Sequence, residues 1–236
     1  MLVVLVVGEH EVPSVAAVLT AVGDDVARQP DTVLPGHRQQ VATATAVDAH
    51  DGGFRHEHAR SLAAMRVIAG EFGGRRLVAP DGTTTRPTTD KVRQAVFNSL
   101  HSMGVLEGAV VADLYAGSGA LGIEALSRGA EKCTFVERDR LALKALRSNL
   151  EALDIEDRST VHATDVMTWV PAMRQVDIVL VDPPYAFDGW EKLLSLIDVP
   201  LLVAESDDPI EPVEGWSLVR TRKYGRTWVT LLERLA

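Results

Sequence analysis

The 236-residue chain contains one cysteine, few aromatic residues and no apolar stretch long enough to cross a bilayer. A single thiol, Cys133, excludes an intramolecular disulfide, and no neighbouring Cys or His gives it the spacing of a zinc site. The longest apolar run near the start, residues 2–7, is too short for a membrane span. It also lacks the basic flank and small-residue cleavage site of a secretory signal. These absences point to a soluble cytoplasmic protein. Positive charge is scarce as well: 24 Lys plus Arg face 33 Asp plus Glu, a formal charge of −9. A surface basic all over is therefore excluded, which leaves local patches as the way such a chain could touch nucleic acid. What remains is ordinary for a folded protein, with 46% hydrophobic residues and enough length for one generous domain or two small ones.

The few aromatics are unevenly placed. Residues 1–64 hold Phe54 alone of the twelve, together with five of the seven histidines. Large rings dominate core burial, so this segment has little with which to build a core, and a weakly ordered extension is expected. His50, His56 and His58 lie close in sequence, but without a carboxylate or thiolate partner a solvated loop is the better reading than a metal site. Met65 opens a segment that reads like a natural protein start.

From Met65 onward the pattern is regular. Residues 66–71 and 75–79 are two short runs around Phe72-Gly73-Gly74, a hairpin signal. Thr88, Thr89 and Asp90 offer helix-capping chemistry ahead of a helix with Val92, Val96, Phe97 and Leu100 on one face. Strands at 110–115, 132–137, 160–164, 177–182 and 201–205 then follow, with helices at 120–128 and 141–153. Val-, Ile- and Leu-rich strands separated by helices predict an α/β fold with a mostly parallel sheet covered on both faces. Residues 217–224 and 227–235, joined at Gly225-Arg226, should close it with an antiparallel hairpin. His162 and the four tryptophans, Trp169, Trp190, Trp216 and Trp228, are expected to be packing residues.

Ala116-Gly117-Ser118-Gly119-Ala120-Leu121-Gly122 lies between the first strand and its helix. Glycines let backbone approach a ligand at the carboxyl end of the first strand of a doubly wound sheet. Alone, the pattern fits a dinucleotide, S-adenosylmethionine or a tight turn with no ligand. Glu137, twenty residues on, is placed for the two ribose hydroxyls of a nucleoside, which suits either cofactor. Asp165, after the third strand, could accept from an adenine amino group or cap the segment beginning at Val166.

Asp182-Pro183-Pro184-Tyr185 ends the fourth strand and discriminates between these chemistries. Hydride transfer has no use for it. An exocyclic amine on a base is a poor nucleophile because its lone pair is delocalised into the ring. Hydrogen bonds from the amine to the Asp182 carboxylate and the Pro183 carbonyl would turn that lone pair toward a sulfonium methyl. The two prolines fix the carbonyl in place, and Tyr185 offers a ring for a flipped-out base to stack on. The alternative is a proline-stiffened loop with Asp182 as a turn former.

Thr85-Arg86-Pro87-Thr88, Val92-Arg93, Phe97-Asn98, the run from Ala116 to Ala130 and Asp182-Pro183-Pro184-Tyr185 together resemble the RsmD family. These are bacterial methyltransferases acting on N2 of one guanine in 16S ribosomal RNA. The resemblance covers residues 65–236 and implies a Rossmann-like class I methyltransferase fold. That fold has a mostly parallel seven-stranded sheet ending in an antiparallel hairpin, preceded by a small hairpin-and-helix element. The implied domains are an extension at 1–64 with no family counterpart, an RNA-binding element at 65–104 and a catalytic domain at 105–236.

Carried over by position, the resemblance implies S-adenosylmethionine contacts from Asp113, Gly117, Ser118, Gly119, Glu137, Arg138, Asp165 and Val166. Ala116 and Gly122 belong to the same loop, and Arg86 and Thr88 would lie near the cofactor mouth. Asp182, Pro183, Pro184 and Tyr185 would form the target-base site. The expected partner is 16S rRNA within an assembled or assembling small subunit, bound by a monomer without a metal. Residues 66–93 are locally +3, so Arg75, Arg76, Lys91 and Arg93 are candidate RNA contacts. Arg222, Lys223 and Tyr224 form a second candidate platform, with Arg220 and Arg226 nearby and no acid among them. Alternatives from related motifs are an N6-adenine methyltransferase, a protein-glutamine methyltransferase and a non-catalytic RNA-binding assembly factor on the same fold.

Overall fold

The computed structural model describes residues 65–80 and 90–235. Residues 1–64, with the histidine cluster, and Thr85 to Thr88 lie outside these. Seven strands form one sheet: β1 (Val110–Leu114), β2 (Lys132–Glu137), β3 (Ser159–Ala163), β4 (Ile178–Val181), β5 (Leu201–Ser206), β6 (Trp216–Tyr224) and β7 (Thr227–Arg234). The order is β3-β2-β1-β4-β5-β7-β6, parallel from β3 to β5 and antiparallel at β7 and β6. The helices are α1 (Asp90–Ser102), α2 (Ala120–Ser127), α3 (Arg140–Leu153), α4 (Val166–Trp169) and α5 (Trp190–Leu196).

The central strands are apolar throughout because both faces are covered. Ile178, Val179, Leu180 and Val181 are all buried, and alternate residues feed two separate cores. Val111, Phe135, Ile178 and Leu180 face the core that also holds α1, α2 and α3 residues such as Phe97, Ile123 and Leu146. Ala112, Leu114, Val179 and Val181 face the other, with Leu193, Leu194 and Trp216. This is the layered packing that the strand pattern predicts.

The expected hairpin at 66–79 is a minimal one. Arg66 and Arg76 form a single antiparallel bridge, extended by Val67 N–H to Arg75 O and Leu77 N–H to Met65 O. Two strands this short are not stable alone, so the element is held by side chains of the domain behind it. Glu124, fully buried on α2, accepts from the backbone N–H groups of Ile68 (2.7 Å) and Ala69 (3.2 Å). Ser127 donates to Ala69 O and accepts from Phe72 N–H. Among the described residues no helix is long and apolar enough to cross a membrane.

Candidate active site at the carboxyl edge of the sheet

The order of the parallel strands reverses beside β1: the connection through α2 leads to β2 on one side, while β4 pairs on the other. Such a switch point leaves a crevice at the carboxyl ends of the strands. Leu114 stands opposite both Val136 and Val181. The next residues, Tyr115, Glu137 and Asp182, therefore emerge side by side at one edge. These three lie up to 67 positions apart in the chain, and the register brings them together.

The glycine loop spans the crevice. Gly117 has φ +57°, and a Cβ there would meet only the Tyr115 carbonyl at 4.0 Å, so the backbone presents an open surface toward a ligand. Its N–H donates to Glu137 Oε2 at 2.8 Å, while Oε1 accepts from the N–H groups of Arg138 and Asp139. Gly119 and Gly122, expected as cofactor contacts, also serve the packing of the loop and its helix. A Cβ on Gly119 would overlap Leu146, and one on Gly122 would overlap the Phe135 ring and stand 2.6 Å from Cys133 Sγ. Both glycines let α2 lie close against β2 and α3.

Several other expected cofactor residues are engaged by the protein. Asp113 is buried and its Oδ2 accepts from Gly122 N–H at 2.8 Å, so it clamps the loop from beneath. Burial pushes its carboxyl well above the ordinary carboxylate range, and the nearby charges of Asp182 and Glu137 add to the shift. Ser118 is buried: its hydroxyl faces Met65 Sδ and its carbonyl accepts from Asn149 Nδ2. Ala116 is buried and its N–H donates to Val136 O. Asp165 caps α4 through Met167 N–H and pairs with Arg138 Nη1 at 2.9 Å, so the capping reading is realised. Arg138 is exposed, and Val166 is buried in the second core.

Asp182 and Pro183 are half-buried, Pro184 is exposed, and Tyr185 is 88% exposed at the crevice mouth. Beside them lies an aromatic group that the sequence reading did not assign to the site. Tyr115 meets Phe187 edge-on at 5.6 Å, and Phe187 meets Trp190 edge-on at 5.2 Å. Tyr115 and Ala186 both have left-handed backbone (φ +60° and +61°), and Asp207 Oδ2 accepts from Ala186 N–H. Burial, and after it the Asp165 charge, raise the Tyr115 hydroxyl above its ordinary pKa. An aromatic between a strand end and its glycine loop was the available signal. Trp190 and Trp169 are half-buried and pack against the second core, as expected of packing residues. His162 is half-buried and stacks on Trp169 at 5.3 Å.

The candidate RNA contacts divide. Arg93, expected at the surface, is wholly buried. It pairs with Asp90 (2.9 Å) and with Glu124 (3.8 Å), and it donates to Arg66 O. Burial lowers its pKa, opposed by Glu124, Asp90 and Glu205. Arg93 lies three, four and seven residues before Val96, Phe97 and Leu100, on the inward face, where the guanidinium completes a charged network instead of meeting phosphate. Arg75 is exposed but donates to Ala152 O near the end of α3, at the edge opposite the crevice, and Arg76 is exposed on the bridge. Lys91 is exposed at the start of α1. Trp228 pairs with Ser206, so the turn between β6 and β7 lies at the carboxyl edge. Arg222, Lys223 and Arg226 are exposed there, Lys223 lying 5.1 Å over the Trp228 ring, while Tyr224 is half-buried against the first core.

With this geometry in view, the family model described as conserved hypothetical protein 95 matches residues 65–233. The Bacillus subtilis protein YlbH is 41% identical over 184 residues, covering 72% of this chain and 99% of its own length. Ribosomal RNA small subunit methyltransferase D of Escherichia coli K12 is 36% identical, with 73% and 91% covered. The solved structure of the Escherichia coli protein yhhF is 36% identical with a TM-score of 0.64, covering 73% of this chain and 98% of that one.

Proposed function

The chain belongs to the RsmD family of methyltransferases, and from that premise we propose that it methylates the exocyclic N2 of one guanine in 16S rRNA of the small ribosomal subunit. The observation that carries the reading is the register that sets Glu137 and the Gly117 loop beside Asp182-Pro183-Pro184-Tyr185 at one edge. The crevice suits S-adenosylmethionine. Gly117 leaves room where a Cβ would intrude, and the acidic side chains of Glu137 and Asp182, side by side at the strand ends, suit a sulfonium cation.

In this reading Glu137 holds the ribose hydroxyls and the Gly117 backbone lies against the nucleoside. Asp165 and Val166 flank the base end, and Arg138 keeps Asp165 oriented. Bound S-adenosylmethionine supplies an electrophilic methyl group. Asp182 and the Pro183 carbonyl accept the two N–H groups of the target amine, turning its lone pair out of conjugation. Tyr185, largely in solvent, is free to stack on the flipped base, which is worth about 1–3 kcal/mol. The methylated nitrogen then loses a proton, for which no separate base is needed.

The RNA is proposed to lie along the carboxyl edge. Arg222, Lys223 and Arg226 are exposed at the β6–β7 turn on this edge, which supports phosphate contact beside the target base, and Lys91 is proposed as a further contact. Arg86 and Thr88 are proposed to complete the mouth. The deciding experiment incubates the protein with labelled S-adenosylmethionine and small subunits from a strain lacking the endogenous enzyme, then maps the label. A single N2-methylguanine in 16S rRNA is expected. Label in adenine or in protein, or none at all, overturns the reading in favour of an amine methyltransferase of another class or an assembly factor.

A further inference from the structure

Asn149, on the inner face of α3, is only 1% exposed and belongs to neither the crevice nor the apolar core. Its amide is spent on two separate pieces of chain. Oδ1 accepts from Val78 N–H at 2.7 Å, and Nδ2 donates to Val78 O at 3.0 Å and to Ser118 O at 2.9 Å. One planar group thus joins the end of the hairpin element to the glycine loop. A second contact runs in parallel, from the Ser118 hydroxyl to Met65 Sδ at 3.8 Å. No helix-interior residue needs an amide for helix formation, and a Leu there would serve packing alone.

We infer that Asn149 is a positioning residue for the cofactor loop: it transmits the placement of the hairpin element at residues 65–78 into the conformation of Ser118. The N–H of Gly117, which faces Glu137, precedes Ser118 by one residue, and its orientation depends on how the Ser118 peptide is held. The hairpin element therefore supports cofactor binding as well as any RNA contact. The links from the element to Glu124 and Ser127 on α2, Arg93 on α1, Ala152 on α3 and Arg158 do not reach the glycine loop. This inference rests on the glycine loop being the S-adenosylmethionine loop proposed above.

The test compares Asn149→Ala with Ser127→Ala, which loosens the same element from α2 without touching Ser118. S-adenosylhomocysteine affinity is measured by calorimetry and stability by thermal unfolding. Asn149→Ala should bind about tenfold more weakly, whereas Ser127→Ala should stay within about twofold of wild type at a comparable loss of stability. Equal affinity of Asn149→Ala and wild type overturns the inference, as does equal weakening in both variants, which would mark a purely structural role. Should Asn149→Ala not fold, hydrogen exchange on the wild-type chain decides. Saturating S-adenosylhomocysteine should slow exchange of the Val78 amide by about threefold or more, and an unchanged rate overturns the inference. No binding by wild type overturns the cofactor reading itself, a result distinct from binding that is indifferent to Asn149.

Discussion

Glu137 Oε2 accepts the Gly117 N–H at 2.8 Å, so a carboxylate from the end of β2 closes over the loop that follows β1. The same carboxylate holds the N–H groups of Arg138 and Asp139 through its other oxygen. Glu137→Ala removes the acceptor for three backbone donors and for the proposed ribose contact. Affinity for S-adenosylhomocysteine should fall about tenfold or more by calorimetry. Wild-type affinity would remove Glu137 from the ribose site.

Asp182 differs from Glu137 in its proposed partner, the target amine rather than the cofactor. Asp182→Ala should slow methyl transfer by about a hundredfold or more while cofactor affinity changes little. Single-turnover rates with small subunits measure the first quantity and calorimetry the second. Turnover near wild type would exclude Asp182 from the reaction.

Asp113 ties stability to pH, and the sign follows from its raised pKa. Between the ordinary carboxylate range and the raised folded value, the folded chain holds a proton that the unfolded chain has lost. Stability contributed by this group is therefore present at low pH and declines as pH rises through that window. Asp113→Asn keeps an acceptor for Gly122 N–H but cannot ionise. Its unfolding free energy relative to wild type should rise as pH increases above the ordinary carboxylate range in denaturant titrations. A difference independent of pH would show that Asp113 titrates alike in both states.

Gly117 and Gly122 separate ligand approach from helix packing. Gly122→Ala drives a methyl into Phe135 and should cost about 1–3 kcal/mol of stability. Gly117→Ala meets open space but has a left-handed φ, so it should cost about 1 kcal/mol while impairing cofactor binding more than Gly122→Ala does. Denaturant unfolding and calorimetry on the two variants read the two effects independently. The reverse ranking of affinities would place the ligand elsewhere.

Arg93 and Arg222 should fail in different assays. Arg93→Met leaves Glu124 with Arg128 as its remaining cationic partner, and should destabilise the fold by about 3 kcal/mol without altering the salt dependence of RNA binding. Arg222→Glu should leave stability nearly unchanged while reducing the slope of log affinity against log salt by about one. An unchanged slope would remove the β6–β7 turn from the RNA interface.

Much of the sheet was legible from local pattern. The strands at 132–137 and 217–224 fall within a residue of the observed bounds, because apolar runs closed by turns leave little freedom of register. The short helix α5 escaped, since seven residues carry too little periodicity to stand out, and α4 was signalled only by its cap, Asp165. Arg93 was misread because charge alone does not reveal which face of a helix is buried. The net charge of −9 likewise said nothing of how Arg222, Lys223 and Arg226 gather at one turn on the carboxyl edge.

By itself the sequence determined the residue types, the strand pattern and the order in which a glycine loop, a ribose-type carboxylate and Asp182-Pro183-Pro184-Tyr185 follow one another. Only the tertiary structure decided their roles. Parallel pairing on both sides of β1 put Tyr115, Glu137 and Asp182 at one edge, and close packing turned Gly119, Gly122 and Arg93 inward. The physical reason is that local propensity is set by neighbours in the chain. Whether a glycine faces a ligand or a phenylalanine, and whether an arginine meets phosphate or a buried glutamate, is set by residues distant in sequence that the sheet brings into contact.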